Sequence, residues 1–80
     1  MKLFVVHRWA QIAPLQKALG ADFEVVSVGH TLAARRDLTG AFINAPSAEQ
    51  LESEVYMAAL DAYADVIRMR LTPGSPFIWL

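Results

Sequence analysis

Apolar positions along the chain follow two spacings, and the change of spacing marks the elements. Lys2-Leu-Phe-Val-Val-His7 is a continuous apolar run, rich in β-branched and aromatic residues, without the alternation of a strand wet on one face. It predicts a strand buried on both sides, the kind found in parallel sheets. Between Trp9 and Leu19, apolar residues recur at Ile12, Leu15 and Leu19, and Gly20 stands where a helix C′ residue belongs. Pro14 fits only a first helical turn, so a short helix is expected from Gln11 or Ala13 to Leu19. Phe23-Glu-Val-Val-Ser-Val28 predicts a second strand, closed by Gly29-His30-Thr31. Thr31 is placed to N-cap a brief helix through Arg36, and Asp37-Leu-Thr-Gly40 is a turn cluster. Ala41-Phe-Ile-Asn44 then predicts a third strand, ended by Pro46. The succession implies one α/β domain over residues 1–80, a small open sheet of three parallel strands with helical crossovers and the first strand central.

A longer helix is expected from Ser47 to Leu71. Ser47 and Gln50 form a capping-box pattern, and Glu49, Glu52 and Glu54 put negative charge at the positive end of the helix dipole. Thr72-Pro-Gly-Ser-Pro76 breaks it, and Phe77-Ile-Trp-Leu80 reads as a short fourth strand, with pairing inside the chain preferred over pairing with another chain. At 100° per residue this helix carries two apolar stripes. Leu51, Val55, Ala58, Ala59, Ala62, Val66 and Met69 form one, whose alanines suit close approach to a sheet. Tyr56, Leu60, Tyr63, Ile67 and Leu71 form the other, and Gln50, Glu54, Asp61, Asp65 and Arg68 gather on the remaining face. The second stripe is expected either to pack within the chain or to meet a partner, since Tyr and Met favour interface centres. A single helix of about 25 residues would span roughly 37 Å against strands of about 17–20 Å, which favours an overhang available to a partner.

Composition adds exclusions. The chain has 80 residues, 55% hydrophobic and 19% charged, with seven Lys+Arg against eight Asp+Glu and a net charge of -1. Such a chain folds rather than remaining disordered. It has more apolar surface than a domain this small comfortably hides. The absence of cysteine removes disulfides, thiolate metal sites and a Cys nucleophile. No apolar run reaches the roughly 20 residues of a membrane span, and the first run is shorter than a signal-peptide core, so a cytoplasmic location is expected. Balanced charge argues against nucleic acid as a partner, with Arg35-Arg36 and Arg8 the sole basic concentration.

Candidate chemistry gathers where parallel strands end. His7 and Arg8 follow the first strand, His30 and Thr31 the second, Asn44 and Ser47 the third. With two helix N-termini nearby they make a candidate site for a small phosphate- or nucleotide-type anion. No glycine-rich phosphate loop accompanies them, two histidines without a third ligand make a poor zinc site, and no catalytic motif or cofactor is implied. The leading expectation is therefore a non-enzymatic interaction module: a small dimerising or target-binding regulator or inhibitor, of the size found among phage proteins. Its contact surface is expected at Tyr56, Leu60, Tyr63, Ile67, Phe77 and Trp79, with a second copy or a protein target as partner. The alternative is a small-ligand binder or minimal enzyme at the strand ends.

Overall fold

The computed structural model describes residues 1–32 and 37–80. Strand β1 (Lys2–Val6) is followed by a 3₁₀ turn (Trp9–Gln11), helix α1 (Ile12–Leu19) and strand β2 (Phe23–Ser27). Strand β3 (Gly40–Ile43), helices α2 (Ala48–Glu52) and α3 (Glu54–Arg68) and strand β4 (Phe77–Trp79) complete the chain. The brief helix expected from Thr31 to Arg36 falls largely on residues 33–36, outside the described residues, as do Arg35 and Arg36. The four strands form one parallel sheet in the order β2-β1-β3-β4. The first strand is central, and the C-terminal run joins its own sheet beside β3.

Residues paired in register share a face of the sheet. Leu3 and Val5 therefore lie with Val26, Ala41 and Ile43. Together with Leu38 they meet Leu60, Tyr63, Ala64 and Ile67 of α3 in a single core. The steps from β1 to β2 and from β3 to β4 run in opposite directions across the sheet, so crossovers of one hand place α1 and α3 on opposite faces. On the α1 face, Val25, Phe4, Phe42 and Ile78 form one register row. Val25, on the strand that α1 packs against, is buried, whereas Ile78 at the far end is 41% exposed.

Two expectations about the long helix are corrected. It is not continuous: Ser53 (φ −88°, ψ 108°) ends α2 and caps α3, its side chain accepting the Tyr56 N–H at 3.2 Å. A serine with an extended backbone interrupts a periodicity that runs on unbroken in the sequence. The two stripes also exchange roles. Leu60, Tyr63 and Ile67, expected to face a partner, are buried in the chain's own core, with Tyr56 and Leu71 packed against it. The alanine-rich stripe expected to meet the sheet faces solvent, with Val55 83% and Met69 73% exposed. Side-chain bulk decides between them, since burying Leu, Ile and Tyr removes more apolar area from water than burying alanines.

Ending α3 at Arg68 also resolves the chain's return. Leu71 already bridges Leu38, whose N–H donates to the Arg70 carbonyl and whose carbonyl accepts the Thr72 N–H. The segment from Thr72 to Ser75 turns through Gly74 (φ +81°), a left-handed backbone that glycine adopts freely. Pairing with β3 then resumes, Pro76 accepting from the Ala41 N–H and Leu80 donating to the Ile43 carbonyl.

The exchanged stripes give a direct stability test. Leu60→Ala or Ile67→Ala should cost about 2–5 kcal/mol in urea unfolding. Val55→Ala and Met69→Ala should stay within about 0.5 kcal/mol, as solvent-facing substitutions do.

Candidate functional site

The ends of β1 and β3 enclose a cavity of about 250 Å³ lined by His7, Arg8, Gln11, Asn44, Ala45, Ser47 and Gln50. Four of the six residues expected at an anion site thus come together: His7, Arg8, Asn44 and Ser47. His30 and Thr31 do not line it. The His30 carbonyl instead accepts the Tyr63 hydroxyl at 2.9 Å, beside the end of β2.

Most of the cavity's polar groups are already bonded within the fold. Ser47 and Gln50 complete the capping box of α2: the Ser47 N–H donates to Gln50 Oε1 at 2.8 Å, and the Gln50 N–H donates to Ser47 Oγ at 3.2 Å. His7 Nε2 donates to the Asn44 carbonyl at 2.5 Å, and Nδ1 shares a hydrogen bond with the Tyr56 hydroxyl, also at 2.5 Å. One imidazole therefore ties β1, the end of β3 and the first turn of α3 together. The Arg8 guanidinium, the side-chain amides of Gln11 and Asn44, the Gln50 Nε2 donors and the Ser47 O–H are left to face a ligand. The Arg8 guanidinium brings one positive charge to the cavity. Among the described residues no cluster of three His, Cys, Asp or Glu side chains is placed to hold a metal ion, and no helix is long and apolar enough to cross a membrane.

Of the two tyrosines expected at an interface, Tyr63 is a core residue and Tyr56 packs against the core, and both hydroxyls are bonded within the chain. Tyr56 bonds His7, and burial raises its phenol above the ordinary value. Tyr63 is pushed up to about 12, first by burial and then by the charge of Glu24. Of the remaining expected contact residues, Phe77 is half-buried beneath the Arg68 guanidinium, 4.4 Å from its ring centroid, and Trp79 is 42% exposed on the outermost strand. Trp9, in the 3₁₀ turn after β1, is 81% exposed.

Part of the exposed surface is apolar. Val55, Ala59, Ala62, Val66 and Met69 succeed one another along α3 at steps of four, three, four and three, all exposed. That spacing matches the a and d positions of a heptad, with small residues at its centre and larger ones at both ends. This is the stripe whose alanines suggest close approach to the sheet; in the fold it faces away from it.

Gln16 is the residue the sequence reading missed. Its side-chain amide accepts the Val25 N–H at 3.0 Å and donates to the carbonyls of Phe23 at 2.7 Å and Gly20 at 3.0 Å. A single glutamine thus stands in for a neighbouring strand along the outer edge of β2. Nothing in one sequence separates a glutamine in that role from a solvated one.

The tyrosines predict an alkaline transition. Tyr63 titrates near 10.0 when unfolded and near 12 when folded, so the native state holds the proton longer. Stability is then fully present below about pH 10 and falls as pH rises toward 12. Tyr63→Phe should flatten that fall in urea midpoints measured between pH 8 and pH 12, and an unchanged slope would contradict it. No family model matches this chain, and neither a curated protein nor a solved structure matches it.

Proposed function

We propose that this chain is a non-enzymatic interaction module that captures an amphipathic helix of a target protein on the outer face of α3. The observation that carries the reading is the exposed seam of Val55, Ala59, Ala62, Val66 and Met69, on a domain whose strand-end cavity has already committed its imidazole and both capping side chains. A helix laid along this seam contacts residues at heptad positions, and the central alanines let the two backbones approach closely.

Charge narrows the partner. Glu54, Asp61 and Asp65 lie along one flank of the seam, and the one cation among them, Arg68, is bonded to Asp65 at 2.9 Å. A twofold axis that sets α3 antiparallel to α3 of a second copy places these acidic flanks on the same side of the pair, where they repel. A target helix with Lys or Arg beside its apolar stripe meets the same flank with attraction. The module then acts by occupancy, covering a basic amphipathic helix that its target uses elsewhere, as a regulator or inhibitor of this size would.

The test places a photo-crosslinking amino acid at Ala59, and separately at Lys17 on α1, in the protein's own cells. Ala59 should yield a discrete adduct that Lys17 does not. Its cross-linked peptide should map to a helix with basic flanks. Equal adducts from both positions, or adducts to a second copy alone, would overturn the reading.

A further inference from the structure

The two edges of the sheet are treated differently. Along β2, the Asp22 carbonyl and the Val28 N–H bond to β1, so alternate residues Phe23, Val25 and Ser27 turn their backbones outward. Those outward groups are largely filled from within. Gln16 takes the Phe23 carbonyl and the Val25 N–H, Gly20 accepts the Phe23 N–H at 3.5 Å, and His30 donates to the Ser27 carbonyl at 3.0 Å.

Along β4 the bonds to β3 use Pro76, Ile78 and Leu80, so Phe77 and Trp79 turn outward. Among the described residues nothing bonds their outward N–H and C=O groups. The strand carries no lysine, no bulge and no proline within Phe77–Trp79, the devices by which an exposed edge is normally kept from pairing. Its side chains are apolar and partly exposed, Ile78 among them.

We propose that β4 is an assembly edge, at which two copies of this chain pair antiparallel and join their four-stranded sheets into one of eight strands. The edge complements itself. With a twofold axis at Ile78, Phe77 exchanges both backbone bonds with Trp79 of the second copy, and Trp79 exchanges both with Phe77. Phe77 then faces the second copy's Trp79 across the α3 face of the sheet, an aromatic cross-strand pair. The two Ile78 side chains meet at the close, non-hydrogen-bonded position on the other face. An axis perpendicular to the sheet keeps both α3 helices on one side, so their outer seams point the same way. The pairing does not depend on the α3 reading, because it uses neither the seam nor its acidic flank.

Two measurements on the full chain decide it. In sedimentation from about 1 to 200 µM, the mass should rise from 8.8 kDa toward twice that value. Over the same range, amide exchange at Phe77 and Trp79 should slow with concentration, while Ile78 and Leu80, bonded inside the chain, remain protected throughout. Chemical synthesis with an N-methyl group on the Trp79 amide removes one outward donor and no bond within the chain. It should weaken self-association at least about tenfold and, at a concentration where the unmethylated chain is monomeric, leave the urea midpoint unchanged. A mass of 8.8 kDa at every concentration overturns the proposal. So does exchange at Phe77 and Trp79 that is fast at every concentration, or a dimer that survives N-methylation and is lost in Ala59→Glu.

Discussion

The height of the sheet governs the rest of this molecule. Its strands are five, five, four and three residues long, so its faces rise no more than about 17 Å from one edge to the other. Any helix connecting parallel neighbours must cross that height once and leave the chain at the starting edge. A continuous helix from Ser47 to Leu71 overshoots by half its length. The chain meets the constraint by spending its first turns as α2, reorienting at Ser53, and crossing with the 15 residues of α3, about 22 Å. Arg68 then ends the helix at the edge where Leu38 waits, and the return costs no stretched loop.

Seen from that constraint, the polar groups at the strand ends have a mainly architectural employment. Short strands give few ladder bonds, and side chains supply the missing ties. His7 fastens three elements through two ring nitrogens, Tyr63 reaches the carbonyl of His30, and Gln16 closes the edge of β2. What looked from the sequence like a collection of ligand groups is in good part the set of clamps that a small parallel sheet needs. The open surface lies elsewhere, on the alanine seam and the β4 edge.

The sheet was legible because its evidence is local. Three apolar runs of strand length, separated by a helical pattern and turn clusters, fix a parallel α/β arrangement with little help from distant contacts, and the capping box at Ser47 was read as it stands. The choice between two stripes on one helix was not legible, because both are apolar and periodicity measures direction without saying toward what. Tyr56 and Tyr63 misled for a physical reason: a tyrosine suits an interface and the rim of a core alike, and its partner settles which. Those partners, His7 and the His30 carbonyl, lie 49 and 33 residues away in the chain. The break at Ser53 was hidden for a similar reason, since one serine changes the backbone without disturbing the spacing of apolar residues around it.

The bridge between Leu38 and Leu71 reaches further than its two hydrogen bonds. Two residues lie between Leu38 and Ala41 on one strand, while five lie between Leu71 and Phe77 on the other, so the ladder holds a three-residue excess. The lower bridge anchors the end of α3 whether or not β4 is docked. The core therefore does not rely on β4 for the anchor of α3, since the bridge and the strand are held by separate sets of hydrogen bonds. The excess loop also makes Pro73, Gly74 and Ser75 a place where the chain tolerates added or lost residues, because register on either side is set independently.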